Sequence, residues 1–223
     1  MTQYDRTVED LGNVVTLEHV NTRVPDQQLA TIFYATGLGL TRDPFLMTGV
    51  GNMWMNVGRS QFHLPTGKAQ VLRGHTGLVL SSRDSLSRRL AAVKQQLEGT
   101  RFSYKEHSEF IEATCPWGNR FRCYAPGERF GRMQLGMPYV EFDAPPDTID
   151  GIVRFYRTIL ATPAAVAEDA QGRHARVAVG MGQHLIFRET AATPPAFDGH
   201  HVAIYLADFS GPYKRLLERG LIT

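Results

Sequence analysis

The feature that most constrains this chain is an internal repeat. Phe33-Tyr34 is followed 24 residues later by Val57-Gly58 and then by Gln61, and Phe155-Tyr156 is followed 24 residues later by Val179-Gly180 and then by Gln183, so the halves are offset by 122. Self-similarity of this kind means that one supersecondary unit is built several times. Each half opens with an apolar strand that ends in Val24-Pro25-Asp26 or Ala144-Pro145-Pro146-Asp147 and runs on into a helix. A shorter echo lies inside each half. "GHTGLVLSSRDSLSRRLAAVKQQLEG" (74–99) and "HHVAIYLADFSGPYKRLLERG" (200–220) are again strand, turn with Asp84 or Asp208, and amphipathic helix.

Periodicity fills in the unit. Ile32, Phe33, Thr36 and Leu40 recur at helical spacing, as do Leu86, Leu90, Val93 and Leu97, and Gly99 is a natural C-terminal stop. "NMWMNVGRSQFHLP" and "EFIEATCPWGNRFRCYAP" read as hairpins turning at Gly58-Arg59-Ser60 and at Pro116-Trp117-Gly118-Asn119. The unit is therefore strand, helix, three strands, expected at about 14–66, 72–126 and 135–190, with a fourth copy starting near 199 that stops before its later strands. The fold class expected is α+β, made of tandem βαβββ modules. Either the chain is a fragment, or the last module leaves a sheet edge to be covered, which gives a physical motive for a homodimer.

Composition excludes several function classes. With 24 Lys plus Arg against 22 Asp plus Glu, the charge is nearly balanced and the basic residues are scattered, so no nucleic-acid partner is implied. Cys115 and Cys123 are too few for a disulfide framework and have no zinc spacing. The N-terminal "MTQYDRTVED" has no basic-then-apolar leader and no stretch is long enough to span a membrane, so a cytoplasmic protein is expected. The glycines of "TGVGN" and "VGMGQ" sit in hairpins and open no phosphate-binding helix, and no nucleophile elbow is present.

The stretches "LEHVNTRVPD…FYATGLGL", "GHTGLVLSSRD", "CPWGNRFRCYAP", "MPYVEFDAPPD…FYRTIL" and "HHVAIYLADF" together resemble the vicinal oxygen chelate superfamily of glyoxalase I, extradiol dioxygenases and bleomycin-resistance proteins. The resemblance implies that modules pair so that curved sheets enclose a cleft, with metal ligands on the first and fourth strands of each module. It places the first two modules in one domain, 1–130, and the third with the truncated fourth in a second, 131–223. The ligand positions of the first pair are then His19, His63, His75 and Arg122, where the family usually has a glutamate in the fourth place. In the second pair they are Tyr139, Leu185 and His201, which do not make a metal site.

Strand phase is an independent check. Phe62 and Leu64 flank His63, Thr76 and Leu78 lie on the face opposite His75, and Phe121 and Cys123 flank Arg122, so each candidate points away from the apolar face. Three imidazoles suit a divalent metal, Fe, Zn, Ni or Mn, and leave positions open for an oxygen-donor substrate. Arg122 then meets an anionic substrate, or it clamps an acidic ligand in a cleft without metal, or it pairs with Glu109 or Glu112 at the surface. Glu18 is expected on the wrong face to act as base; His107 and Glu109 precede the last hairpin; His184 and His200 read as structural; Met53 and Met55 read as packing residues that could floor a cleft. The expected function is a metal-dependent enzyme acting on a small oxygen-rich organic anion, a dioxygenase or a lyase/isomerase. The alternative is a metal-free small-molecule binding protein of the bleomycin-resistance type.

Overall fold

A computed structural model describes residues 12–46 and 49–222, so the N-terminal stretch read above for targeting lies outside the described residues. Contacts divide the chain into two compact units. One comprises 18–142 with 194–203; the described part of the other comprises 12–17, 143–193 and 204–222. Among the described residues, no helix is long and apolar enough to cross a membrane.

The larger unit carries two sheets. Strand β1 (Val14–Asn21) enters it at Glu18 and is followed by helix α1 (Gln27–Ala30), β2 (Thr41–Arg42), β3 (Asn52–Val57) and β4 (Ser60–Pro65). The Asp26 carboxylate caps α1 by accepting from the backbone N–H groups of Gln28 and Leu29, at 2.7 and 2.9 Å. The order is β1-β4-β3-β2, with β1 parallel to β4 and β3 antiparallel to it. The second module supplies β5 (Gly74–Val79), α2 (Arg83–Val93), β6 (Ser103–Glu106), β7 (Phe110–Thr114) and β8 (Arg120–Tyr124), in the order β5-β8-β7-β6. Helix α2 buries Leu86, Leu90 and Val93 as its spacing predicted, and Leu97 follows them into the core.

Helix α1 departs from the sequence expectation. It continues as a π-helical stretch over Thr31–Gly37, in which the Leu38 N–H donates to the Phe33 carbonyl at 2.8 Å. The wider turn shifts the buried stripe: Phe33, Tyr34, Leu38 and Leu40 are buried, while Ile32 is half-buried and Thr36 exposed. Phe33 and Tyr34 close on Phe121 of β8 at ring separations of 5.6 and 5.8 Å, and Phe62 of β4 lies 5.6 Å from the same ring. The core of this unit is therefore an aromatic cluster shared by both sheets.

Strand pairing also runs across residue 130. Strand β9 (Gly136–Ala144), the first strand of the third module, pairs antiparallel with β5, matching His75 with Glu141, Thr76 with Val140 and Gly77 with Tyr139. Beside β1 lies β13 (His201–Leu206), the first strand of the fourth module. The edges of the first and second modules are thus taken by the fourth and third, and these two modules do not share a sheet.

The smaller unit holds α3 (Ile149–Thr158), the meander β10 (Ala164–Asp169), β11 (Gly172–Gly180) and β12 (Gln183–Glu189), and α4 (Ser210–Leu217). Its structure explains one repeated glycine. At Gly180, φ is +145° and a Cβ would stand 3.1 Å from the Thr16 backbone. Gly58, its repeat partner, has φ +67° and would bring a Cβ to 2.3 Å from the Leu135 carbonyl oxygen. Only glycine admits these approaches.

Candidate functional site

Three imidazoles gather on neighbouring strands of the larger unit. His19 on β1 lies 5.5 Å from His63 on β4 and 6.1 Å from His201 at the start of β13, ring centroid to ring centroid. Trp54, the cross-strand partner of His63, stacks on it at 3.9 Å and meets His19 edge-on at 5.0 Å. Met53 and Met55 point the other way and are fully buried, so Trp54 and not the methionines lines this face. Sequence phase contained that signal, since Trp54 alternates with the two methionines.

Each ring has one nitrogen bound to an acceptor. The Nδ1 of His19 donates to the Glu18 carboxylate, the Nε2 of His63 faces Asn52 Oδ1 at 2.7 Å, and the Nδ1 of His201 faces the Gly199 carbonyl at 3.2 Å. A carboxylate or carbonyl oxygen only accepts, so in each of these contacts the proton sits on the ring nitrogen. Glu18 thus reaches the His19 ring after all. Burial, then the fields of His19 and His201, pushes His63 down to about 4, so it is neutral at physiological pH.

Neutral imidazoles whose second nitrogen is held by a carboxylate or carbonyl suit a divalent metal, because such partners orient the ring and raise its basicity. The donor chemistry fits. Among the described residues, however, no three donor atoms already converge as a metal-binding group.

A hydrogen-bonded network holds the chain just before His201. Asp198 accepts from the Val71 N–H at 2.7 Å and holds His200 Nδ1 at 2.6 Å, while the Gln70 side chain donates to the Asp198 carbonyl at 2.7 Å and accepts from the Arg23 N–H at 2.9 Å. His200 is buried there as a structural residue.

His75 and Arg122 occupy the other sheet. His75 Nε2 lies 3.3 Å from the Tyr139 hydroxyl and its Nδ1 lies 4.0 Å from Glu141, so its contacts are with β9 rather than with the rings around His19. Arg122 lies over Phe110 at 5.3 Å, and among the described residues it forms no ion pair; Glu109 pairs with Arg129 at 3.0 Å. His107 stacks on Phe110 at 4.6 Å. The cysteines are buried, and burial raises both thiols, Cys123 to about 12, which leaves neither poised as a nucleophile.

No family model matches the sequence, and a search of curated proteins finds no similar one. Solved structures do match. A glyoxalase I variant from Zea mays aligns at TM-score 0.62 and 13% identity over 94% of this chain and 82% of that one. A second glyoxalase I variant from Zea mays gives 0.59 and 14% over 92% and 80%. A "putative dioxygenase" from Bacillus subtilis gives 0.56 and 16% over 93% and 75%. The fold is that of the vicinal oxygen chelate superfamily.

His19, His63 and His201 belong to the sheet of β1, β4 and β13, whereas His75, Arg122 and Tyr139 belong to that of β5, β8 and β9. Strand phase set His63, His75 and Arg122 opposite the apolar face; the grouping of their strands left no such signal.

Proposed function

We propose that the chain is a metal-dependent enzyme of the vicinal oxygen chelate type that acts on a small oxygen-rich organic anion, as a dioxygenase or a lyase/isomerase. The observation that supports this is the gathering of His19, His63 and His201, each with one ring nitrogen tied to an acceptor. In this reading His201 replaces His75 as the third ligand of a divalent ion, Fe, Zn, Ni or Mn. Such an ion supplies Lewis acidity and a point at which oxygen donors assemble. Glu18 orients His19, and the stacked Trp54 indole shields His63 from water and gives the site an apolar wall.

The test is metal content by mass spectrometry on the parent and on single variants confirmed to be folded. Near-stoichiometric metal in the parent, lost in His201→Ala and kept in His75→Ala, supports the assignment. Loss in His75→Ala but not in His201→Ala would return the third ligand to His75. Metal absent from the parent even after reconstitution would defeat the enzyme reading. A metal-free binding protein is then the better one, with Arg122, which forms no ion pair among the described residues, available to an acidic ligand.

A further inference from the structure

Gln70 lies in the connection that joins β4 to β5, and it is 4% exposed. A buried amide is costly unless both of its ends are bonded. Here both are: Oε1 accepts from the Arg23 N–H at 2.9 Å, and Nε2 donates to the Asp198 carbonyl at 2.7 Å. The Gln70 backbone is fixed as well. Its N–H donates to the Arg23 carbonyl at 3.1 Å, its carbonyl accepts from the Asn119 side chain at 2.9 Å, and Asn119 Oδ1 accepts from the Leu72 N–H at 2.8 Å. Arg23 follows β1 and Asn119 precedes β8, so Gln70 is anchored in the first two modules and reaches from there to the segment that leads into β13.

That segment turns tightly around Gly199. The Asp198 carboxylate accepts from the Val71 N–H at 2.7 Å, from the His200 N–H at 3.1 Å and from His200 Nδ1 at 2.6 Å. Between Asp198 and His200, Gly199 has φ +91°, and a Cβ there would stand 2.8 Å from Gln70 Nε2. Glycine adopts this conformation readily, and it brings the Gly199 carbonyl to 3.2 Å from His201 Nδ1. A carbonyl only accepts, so the proton of that contact sits on Nδ1. His63 and His19 are also held by the Trp54 indole; His201 is exposed, and its ring orientation rests on the Gly199 carbonyl.

We propose that Gln70 is the positioning residue for His201, acting through the Asp198 carbonyl and the Gly199 turn to hold the imidazole in its Nδ1–H form beside His19. The proposal builds on the reading of His201 as the third metal ligand, because a ligating imidazole keeps its affinity through partners that fix its ring and tautomer.

The test follows imidazole nitrogen shifts by long-range proton–nitrogen NMR in metal-free, full-length protein at about pH 8, where imidazole is ordinarily neutral. Zn2+ affinity is then measured by competition with a chromophoric chelator. Gln70→Met keeps the length of the side chain and removes both of its hydrogen bonds. It is expected to take His201 from the Nδ1–H pattern to the averaged pattern of free histidine, to leave His63 unchanged, and to weaken Zn2+ binding about tenfold. Gly199→Ala disturbs the same turn from the backbone and is expected to change His201 in the same way, which keeps the proposal testable if Gln70→Met does not fold. Val93→Ala, on α2 and outside this network, is expected to lower stability and to keep the parent His201 pattern. A parent without the Nδ1–H pattern, an unchanged His201 in folded Gln70→Met, or the same change in Val93→Ala overturns the proposal. Equal Zn2+ affinity in the parent and His201→Ala would instead defeat the ligand reading, and the NMR pattern, read without metal, would still decide whether Gln70 positions the ring.

Discussion

The Trp54 indole lies on the His63 imidazole at 3.9 Å with only 10° between their planes. The chain has two tryptophans, so in a Trp117→Phe background Trp54 becomes a local reporter of that ring. Titration with Co2+ is expected to quench its emission as the ion engages His63, and the same titration in His63→Ala is expected to leave it unchanged. Equal quenching in both proteins would place the ion elsewhere.

Gly77 is held to glycine by the Tyr139 ring. Gly77→Ala is expected to destabilise the fold by about 1–3 kcal/mol through overpacking, measured by urea denaturation. In a Tyr139→Ala background the same change should cost clearly less. Equal costs in both backgrounds would show that the two positions are not coupled.

Phe121 is the ring on which Phe33, Tyr34 and Phe62 meet. Phe121→Ala is expected to cost about 3–5 kcal/mol, because it opens a cavity where both sheets share their core. A cost under about 1 kcal/mol, in the range of a surface change, would refute a shared aromatic core.

Asp198 carries a pH dependence with a definite sign. Burial raises its carboxyl, but the Val71 N–H and His200 outweigh burial and hold it below its ordinary value of 3.8. A depressed carboxyl contributes stability that is present above the unfolded value and is lost as pH falls through the folded one. Asp198→Asn should therefore be less stable than the parent near neutral pH, and the gap should close as pH is taken down through and below 3.8. A gap that stays constant with pH would mean that shape, and not charge, anchors this segment.

Much of the fold could be read from the residues because its signals are local. The phase of β4 put Phe62 and Leu64 in the core and His63 on the other face, and the structure agrees. The spacing of Leu86, Leu90 and Val93 gave the buried stripe of α2. Local geometry also set the limits: Phe33 and Leu40 are buried as their spacing predicted, but the π-helical stretch after Ala30 puts Tyr34 and Leu38 beside them in place of Ile32 and Thr36, and no 3.6-residue pattern announces that. Glu18 showed a similar limit, because strand parity fixes where a Cβ points but not where a flexible carboxylate ends.

By itself the sequence determined the module, its repetition, and which residue of each first and last strand turns away from the core. Those properties follow from side-chain alternation and hydrophobic burial, which are written residue by residue. Only the tertiary structure decided which modules share a sheet edge, and hence that His19 and His63 stand with His201 while His75 stands with Tyr139 and Glu141. Edges join through backbone N–H and C=O groups that every module presents alike, so the choice of partner rests on the packing of whole elements and leaves no local mark in the chain.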